Sequence, residues 1–309
     1  MSGAGVRESP INRFNTHIIP VEFEYYEPKT LREALELLAK WGDDAKVLAG
    51  GTDLLVQMKI RKVEPKCLIN IKRIPGLDFI EEGDEGLRIG AATKLRKIEK
   101  SEVVRRRFPA LYEAVREMAS VQIKNMATIG GNLCNASPAA DTAPPLMVYG
   151  AKLKLVSLEG ERIVPIEEFF TGPGETVLRP GELLAEILIP YQPESTGSSF
   201  IKVSRTSMDL AKVNVAVALT LSGETMSRVR IALGAVAPTP MRAREAERHL
   251  EGKPPSESDF KRAGEIAAGE IKPITDLRST AWYRREVTKV IVADALTRAL
   301  SRAKGEVGA

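Results

Sequence analysis

The amino-acid sequence predicts an α+β protein in two parts, a larger N-terminal region to about residue 192 and a smaller C-terminal sheet with helices. Three observations carry this. Short β-rich runs alternate with 3.6-period apolar segments through the first 190 or so residues. The stretch Gln192-Pro193-Glu194-Ser195-Thr196-Gly197-Ser198 collects turn-forming residues and reads as a linker. Beyond it, three strand patterns are followed by three helical ones, the order of a sheet covered by its own helices. A chain of 309 residues fits two domains of roughly 100–200 residues each.

Residues 1–21 are polar and proline-punctuated, and read as an extended arm. Thr30-x-x-Glu33 is a capping-box pattern, after which Leu31, Ala34, Leu35 and Leu38 share one helical face until Gly42. Lys46–Ala49 is a short buried strand running into Gly50-Gly51, and Leu54, Leu55 and Met58 form the apolar face of the next turn. Cys67–Ile71 and Leu87–Ala91 read as strands, and 93–100 and 109–119 as helices. The stretch 120–150, with Gly130, Gly131, Pro138, Pro144 and Pro145 among small residues, reads as a long ordered loop with one short helix. Leu153–Ser157 and Arg162–Val164 form a hairpin around Glu159-Gly160, and Leu183–Ile189 is a further strand. The C-terminal strands are 199–204, 213–221 and 229–236, with Val213, Val215, Val217 and Leu219 on one face. Helices at 241–250, 258–269 and 281–303 complete the chain.

Composition narrows the chemistry. Apolar residues make up 43% and charged ones 28%, and the net charge of +4 gives no support for nucleic-acid binding. Cys67 and Cys134 are too few for a disulfide framework or an iron–sulfur cluster, and His17 and His249 too few for a histidine metal site, so no metal ligands are expected. Neither a signal peptide nor an apolar run of about 18 residues is visible, which reads as a cytoplasmic chain. No Ser–His–Asp or Cys–His set appears. Difficult chemistry would therefore come from a cofactor.

Two glycine motifs point to its site, Leu48-Ala49-Gly50-Gly51-Thr52-Asp53-Leu54 and Thr128-Ile129-Gly130-Gly131-Asn132. Without a Cβ, adjacent glycines let backbone N–H groups converge on an anion such as a diphosphate, and Thr52, Thr128 and Asn132 add short polar side chains. Neither is a P-loop or a Rossmann fingerprint. Read alone, each is equally a tight turn.

Longer runs around them resemble a known family. Val47-Leu48-Ala49-Gly50-Gly51-Thr52-Asp53-Leu54-Leu55-Val56-Gln57-Met58-Lys59 resembles the first FAD loop of the flavoprotein subunits of carbon monoxide dehydrogenase and xanthine dehydrogenase. Ala127-Thr128-Ile129-Gly130-Gly131-Asn132-Leu133-Cys134-Asn135-Ala136-Ser137-Pro138-Ala139-Ala140-Asp141 resembles the second. The likeness continues at Arg205–Lys212, Gly234–Pro240 and Trp282–Arg285, and spans residues 22–304. It implies an FAD-binding domain over 22–192, of vanillyl-alcohol-oxidase type, with two α/β subdomains dividing near 80–85. A C-terminal domain over 197–304, with a three-stranded antiparallel sheet, would follow. It also implies that the loops 47–54 and 128–132 bind FAD, that Asp141 hydrogen-bonds the cofactor, and that Leu184 and Lys202 lie against the flavin. Partner chains would hold molybdopterin and a pair of 2Fe–2S clusters in a dimer of heterotrimers. This chain would pass electrons from the clusters through FAD to an external acceptor, with no catalytic residue of its own. The far-apart cysteines depart from the branch that carries an extra cluster in this subunit.

Plainer readings stand beside these. Asp53 and Asp141 are each placed to cap a following turn. Cys134 and Cys67 read as small buried residues, and the two histidines as solvated. Arg105-Arg106-Arg107 reads as a solvated face, and Trp282–Arg285 as core packing or a subunit contact. A different functional class, a free-standing FAD-dependent reductase using a nicotinamide donor, would need a proton donor and substrate pocket that the C-terminal domain does not display.

Overall fold

Local sequence builds the first layer. The computed structural model describes residue 19 and residues 21–306; the rest of the N-terminal arm, His17 included, lies outside the described residues. β1 (Glu24–Tyr26) leads into α1 (Leu31–Trp41), whose N-cap Thr30 accepts the N–H of Glu33 at 3.1 Å. Glu33 reaches back to the N–H of Lys29 at 2.7 Å, one residue before the partner of a standard capping box. Gly42, with φ 52°, ends the helix. β2 (Ala45–Leu48), α2 (Leu54–Lys59) and β3 (Cys67–Asn70) follow. The three strands make a parallel sheet ordered β1-β3-β2, with Ala34, Leu35 and Leu38 of α1 packed on Cys67 and Ile69.

A second sheet opens at β4 (Ile80–Glu82) and β5 (Gly86–Gly90). The chain then leaves it for α3 (Leu95–Glu99), α4 (Glu102–Arg107) and α5 (Pro109–Glu117). Ser101 caps α4 through the N–H of Val104, adding a helix between the two expected at 93–100 and 109–119. The stretch 120–150 is more helical than expected, with α6 (Val121–Lys124), α7 (Ile129–Cys134) and α8 (Ala143–Tyr149). Prolines at the start of α8 occupy positions whose N–H groups have no helical partner, so they begin a helix and do not break one. β6 (Lys152–Ser157), β7 (Gly160–Pro165), the small hairpin β8 (Phe170–Gly172) with β9 (Glu175–Thr176), and β10 (Leu183–Pro190) complete this half. The sheet order is β4-β5-β10-β6-β7, antiparallel throughout.

The C-terminal sheet has four strands, not three: β11 (Thr196–Val203), β12 (Val213–Ser222), β13 (Thr225–Gly234) and β14 (Met241–Arg242), in that order. Residues 241–242 read in sequence as the start of a helix. Pro238 and Pro240 hold the preceding chain extended, so Met241 and Arg242 pair with Leu233 and Ala232 before α9 (Arg244–Leu250) begins. α10 (Glu257–Glu270) and α11 (Ala281–Ala303) cover one face. β11 takes in Thr196–Ser198, the end of the stretch read as a linker, and Ser199 Oγ donates to the Ala295 carbonyl on α11 at 2.7 Å.

β12 is buried on both faces. Val213, Val215, Val217 and Leu219 enter the C-terminal core with Ile291, Val292 and Leu296 of α11. On the other face Ala216 and Ala218, with Ala232 and Phe200, belong to the same core as Ile129, Leu146 and Tyr149 of the N-terminal part. Small side chains on that face let α8 pack directly on the strand. No helix among the described residues is long and apolar enough to cross a membrane.

Candidate functional site

The first glycine loop leaves β2 after Leu48, whose carbonyl accepts the N–H of Ile71 at 3.1 Å. Val47 is a half-buried strand residue, Leu48 is buried, and Ala49 follows at the turn. Gly50 lies against the backbone just ahead of the second loop. A Cβ there would sit 2.5 Å from the Met126 carbonyl oxygen and 2.7 Å from Ala127 Cα. Gly51 takes φ 74°, a left-handed conformation that glycine adopts without penalty. The carbonyls of Gly51 and Asp53 accept from Leu55 and Gln57 as α2 begins at Leu54. Among the described residues, the N–H groups of Gly50, Gly51, Thr52 and Asp53 donate to no protein acceptor. Four adjacent donors left over by the fold are what an anion cradle requires. Asp53 holds the N-cap position of α2 but its side chain caps nothing, so the plainer reading of that residue is not realised.

The second loop differs from the expectation. The N–H of Ile129 donates to the Thr93 carbonyl (3.0 Å) and that of Gly130 to the Ala91 carbonyl (2.9 Å). Gly131 donates to Thr128 Oγ1 (3.0 Å) and Asn132 to the Thr128 carbonyl (3.0 Å). Its amides are thus consumed in capping α7 and docking it beside β5, because Thr128 is an N-cap. What it offers a ligand is side chains and closeness. Asn132 Oδ1 accepts from Thr142 Oγ1 at 2.6 Å, which leaves the donor end of its amide for other partners. The two loops are bound together by Gln57 Nε2, which donates to Asn135 Oδ1 at 3.1 Å.

Asp141 is the electrostatic centre. Its residue is 5% exposed, and it does not cap α8; the N-cap there is Thr142. Instead Oδ2 accepts from Lys202 Nζ at 2.8 Å and Oδ1 from Asn214 Nδ2 at 2.7 Å. Lys202 comes from β11, with its side chain 3% exposed, and the wholly buried Asn214 comes from β12. Burial pushes the Asp141 carboxyl above its ordinary range, opposed first by the Lys202 ammonium and then by the Asn214 amide. Leu184 is buried in β10 opposite Leu155, just before a register shift at Glu186, in the core that holds Ile129 and Leu133. Nothing in sequence joins Asp141 to Lys202 across 61 positions. Asn214 does carry a sequence signal, as the polar member of the otherwise apolar run Val213–Leu219.

The remaining C-terminal motifs interlock around this centre. Ala235, at φ 62°, donates its N–H to the Pro138 carbonyl at 2.7 Å. Arg284 donates to the carbonyls of Lys212 and Ala235, each at 2.6 Å, and to Asp276 at 2.8 Å. Met208, at φ 68°, forms a bridge with Met118. Trp282 is 69% exposed, which removes core packing as its role. Arg105, Arg106 and Arg107 form the exposed last turn of α4, as read. Cys67 is core, and burial pushes the Cys134 thiol up to about 12, so it carries no thiolate near neutral pH. His249 is less solvated than expected, with Nε2 3.2 Å from Asp259 Oδ1. No group of three or more metal-ligating side chains occurs among the described residues.

Comparison with known proteins agrees with this layout. Residues 21–192 match the family model described as the FAD binding domain in molybdopterin dehydrogenase, and 198–299 that of the CO dehydrogenase flavoprotein C-terminal domain. The chain is 37% identical to the carbon monoxide dehydrogenase medium chain of Hydrogenophaga pseudoflava, covering 92% of this chain and 99% of that one. It is 34% identical to the xanthine dehydrogenase FAD-binding subunit of Escherichia coli O157:H7, covering 92% and 98%. The solved carbon monoxide dehydrogenase from Hydrogenophaga pseudoflava superposes with a TM-score of 0.90 at 38% identity, over 92% of this chain and 99% of that chain. Quinoline 2-oxidoreductase from Pseudomonas putida 86 gives 0.85 at 29% identity, over 93% and 98%.

Proposed function

This chain belongs to the family of FAD-binding medium subunits of the molybdenum hydroxylases, and on that premise we propose that it relays electrons within a three-chain oxidoreductase. It would receive them from a pair of 2Fe–2S clusters on a small partner chain and deliver them to an external acceptor. A large partner chain would hold molybdopterin and the substrate, and two such trimers would associate. The observation that supports the cofactor site most directly is the row of unpaired amides at Gly50–Asp53 beside the second loop. FAD supplies the redox chemistry when bound.

The residues of this chain then bind and orient. Gly50, Gly51, Thr52 and Asp53 would hold the pyrophosphate through backbone N–H groups, with Val47, Leu48, Ala49 and Leu54 shaping the turn that presents them. Thr128, Ile129, Gly130 and Gly131 would keep α7 close enough for Asn132 to reach the cofactor. Asp141 would accept a hydrogen bond from it, and Leu184 and Lys202 would bound the flavin, Lys202 contributing a fixed ammonium already balanced by Asp141. No proton donor for a separate substrate is required.

The test begins with the purified chain and added FAD, followed by absorbance after excess cofactor is removed. Flavin bands are expected, with FAD and not FMN released on denaturation. In the cell the chain should co-purify with one iron–sulfur chain and one molybdenum chain, and substrate should bleach the flavin only in that assembly. A chain that elutes alone and takes hydride directly from a nicotinamide would overturn the relay in favour of a free-standing reductase. The second loop has its own prediction. A Cβ at Gly131 would lie 2.9 Å from Thr128 Oγ1, so Gly131→Val should displace that cap and weaken FAD binding while the chain stays folded. Unchanged flavin occupancy would remove the loop from the site.

A further inference from the structure

Asn214 is wholly buried, and its two polar atoms are treated unequally. Nδ2 donates to Asp141 Oδ1 at 2.7 Å, while Oδ1 has no hydrogen-bond partner among the described residues. A buried acceptor without a donor is unfavourable, and its presence calls for a reason. The side chain is also wedged. Gly234 is its register partner across β12 and β13, and a Cβ at Gly234 would run into Asn214 Oδ1. Among the described residues, the other group holding Asp141 is Lys202, whose long stem fixes one carboxylate oxygen but not the plane of the carboxyl. Two anchors, one from each of two adjacent strands, do fix that plane.

We infer that Asn214 is a positioning residue for the flavin site, orienting the Asp141 carboxylate toward the cofactor from the far side of the domain junction. The inference rests on the proposed contact between Asp141 and FAD. Asn214 touches no cofactor itself. Its function is to give up one of its own hydrogen bonds so that Asp141 presents a single orientation, a supporting role that sites built for precise geometry commonly need.

The test compares FAD affinity of the full chain with that of Asn214→Leu and Asn214→Asp, titrated from mildly acidic to mildly alkaline pH. The ionisable groups acting on Asp141 are Lys202 from β11 and, more distantly, Glu117 from α5, and both are unchanged in every variant. Asn214→Leu should bind FAD about tenfold more weakly at every pH, the loss of one hydrogen bond to a charged group. Asn214→Asp should bind weakly at neutral and alkaline pH, where two carboxylates face each other. It should recover as pH falls, because a proton shared between positions 141 and 214 restores the bond. Equal affinity of Asn214→Leu and the natural chain overturns the inference. So does Asn214→Asp weakened alike at every pH, the signature of a merely structural residue. If the natural chain itself takes up no FAD, the proposed site fails first and this inference with it.

Discussion

Replacing Asp141 with alanine is expected to lower stability by about 3–5 kcal/mol, the effect of stranding one partner of a buried ion pair. Lys202 would keep an ammonium in a position where its side chain is 3% exposed, and the Asn214 amide would lose its one side-chain acceptor among the described residues. Both groups come from the C-terminal sheet, so the loss falls on the junction between the two halves. The companion double variant Asp141→Leu with Lys202→Met removes both charges and should regain most of the stability, since paired apolar replacements of a buried ion pair are often near neutral. FAD binding should not return with it. Urea unfolding of Asp141→Leu, Lys202→Met and the double variant gives the coupling directly. Near-zero coupling would mean that the two charges do not meet as described.

Gly50→Ala is expected to reach the upper end of the about 1–3 kcal/mol that overpacking produces. The added methyl carbon would have to displace the backbone at Met126 and Ala127, which is no flexible side-chain tip. Relief is available only by separating the two glycine loops, and the FAD site is proposed to span them. Affinity should therefore fall with stability. Thermal unfolding and flavin titration on the same preparation check both. A variant as stable as the natural chain would show that the loops are not in contact at this point. Gly51→Ala makes a useful contrast. Its penalty comes from φ 74° and the Leu48 and Leu55 side chains, which can yield.

How much of this was legible beforehand varies with the range of the interaction. Local signals were read well. Thr30 and Glu33 start α1, Gly42 ends it, and the alternation of Val213, Val215, Val217 and Leu219 named the core face of β12. The stretch 120–150 reads as a loop because glycines and prolines break helix interiors, whereas Thr128 and the prolines of α8 place them in first turns where they are tolerated. The fourth strand is two residues long and exists only through its pairing with β13, which no period can register. The glycine loops were found from their sequence, but the division of labour between them was not. Which amides remain free depends on Thr93, Ala91 and Thr128 as acceptors, and two of those three lie more than 30 residues from the nearest pattern that suggested the site. The Asp141–Lys202–Asn214 cluster is invisible for the same reason, since a turn and two strands meet there only through the tertiary fold.

The strand β12 is shared property. One face completes the C-terminal core and the other completes the core of the FAD-binding part, through Ala216 and Ala218. A cut in the 192–198 stretch would follow the grain of the chain and yet leave apolar surface bare on both pieces. The two parts are therefore expected to unfold in a single transition.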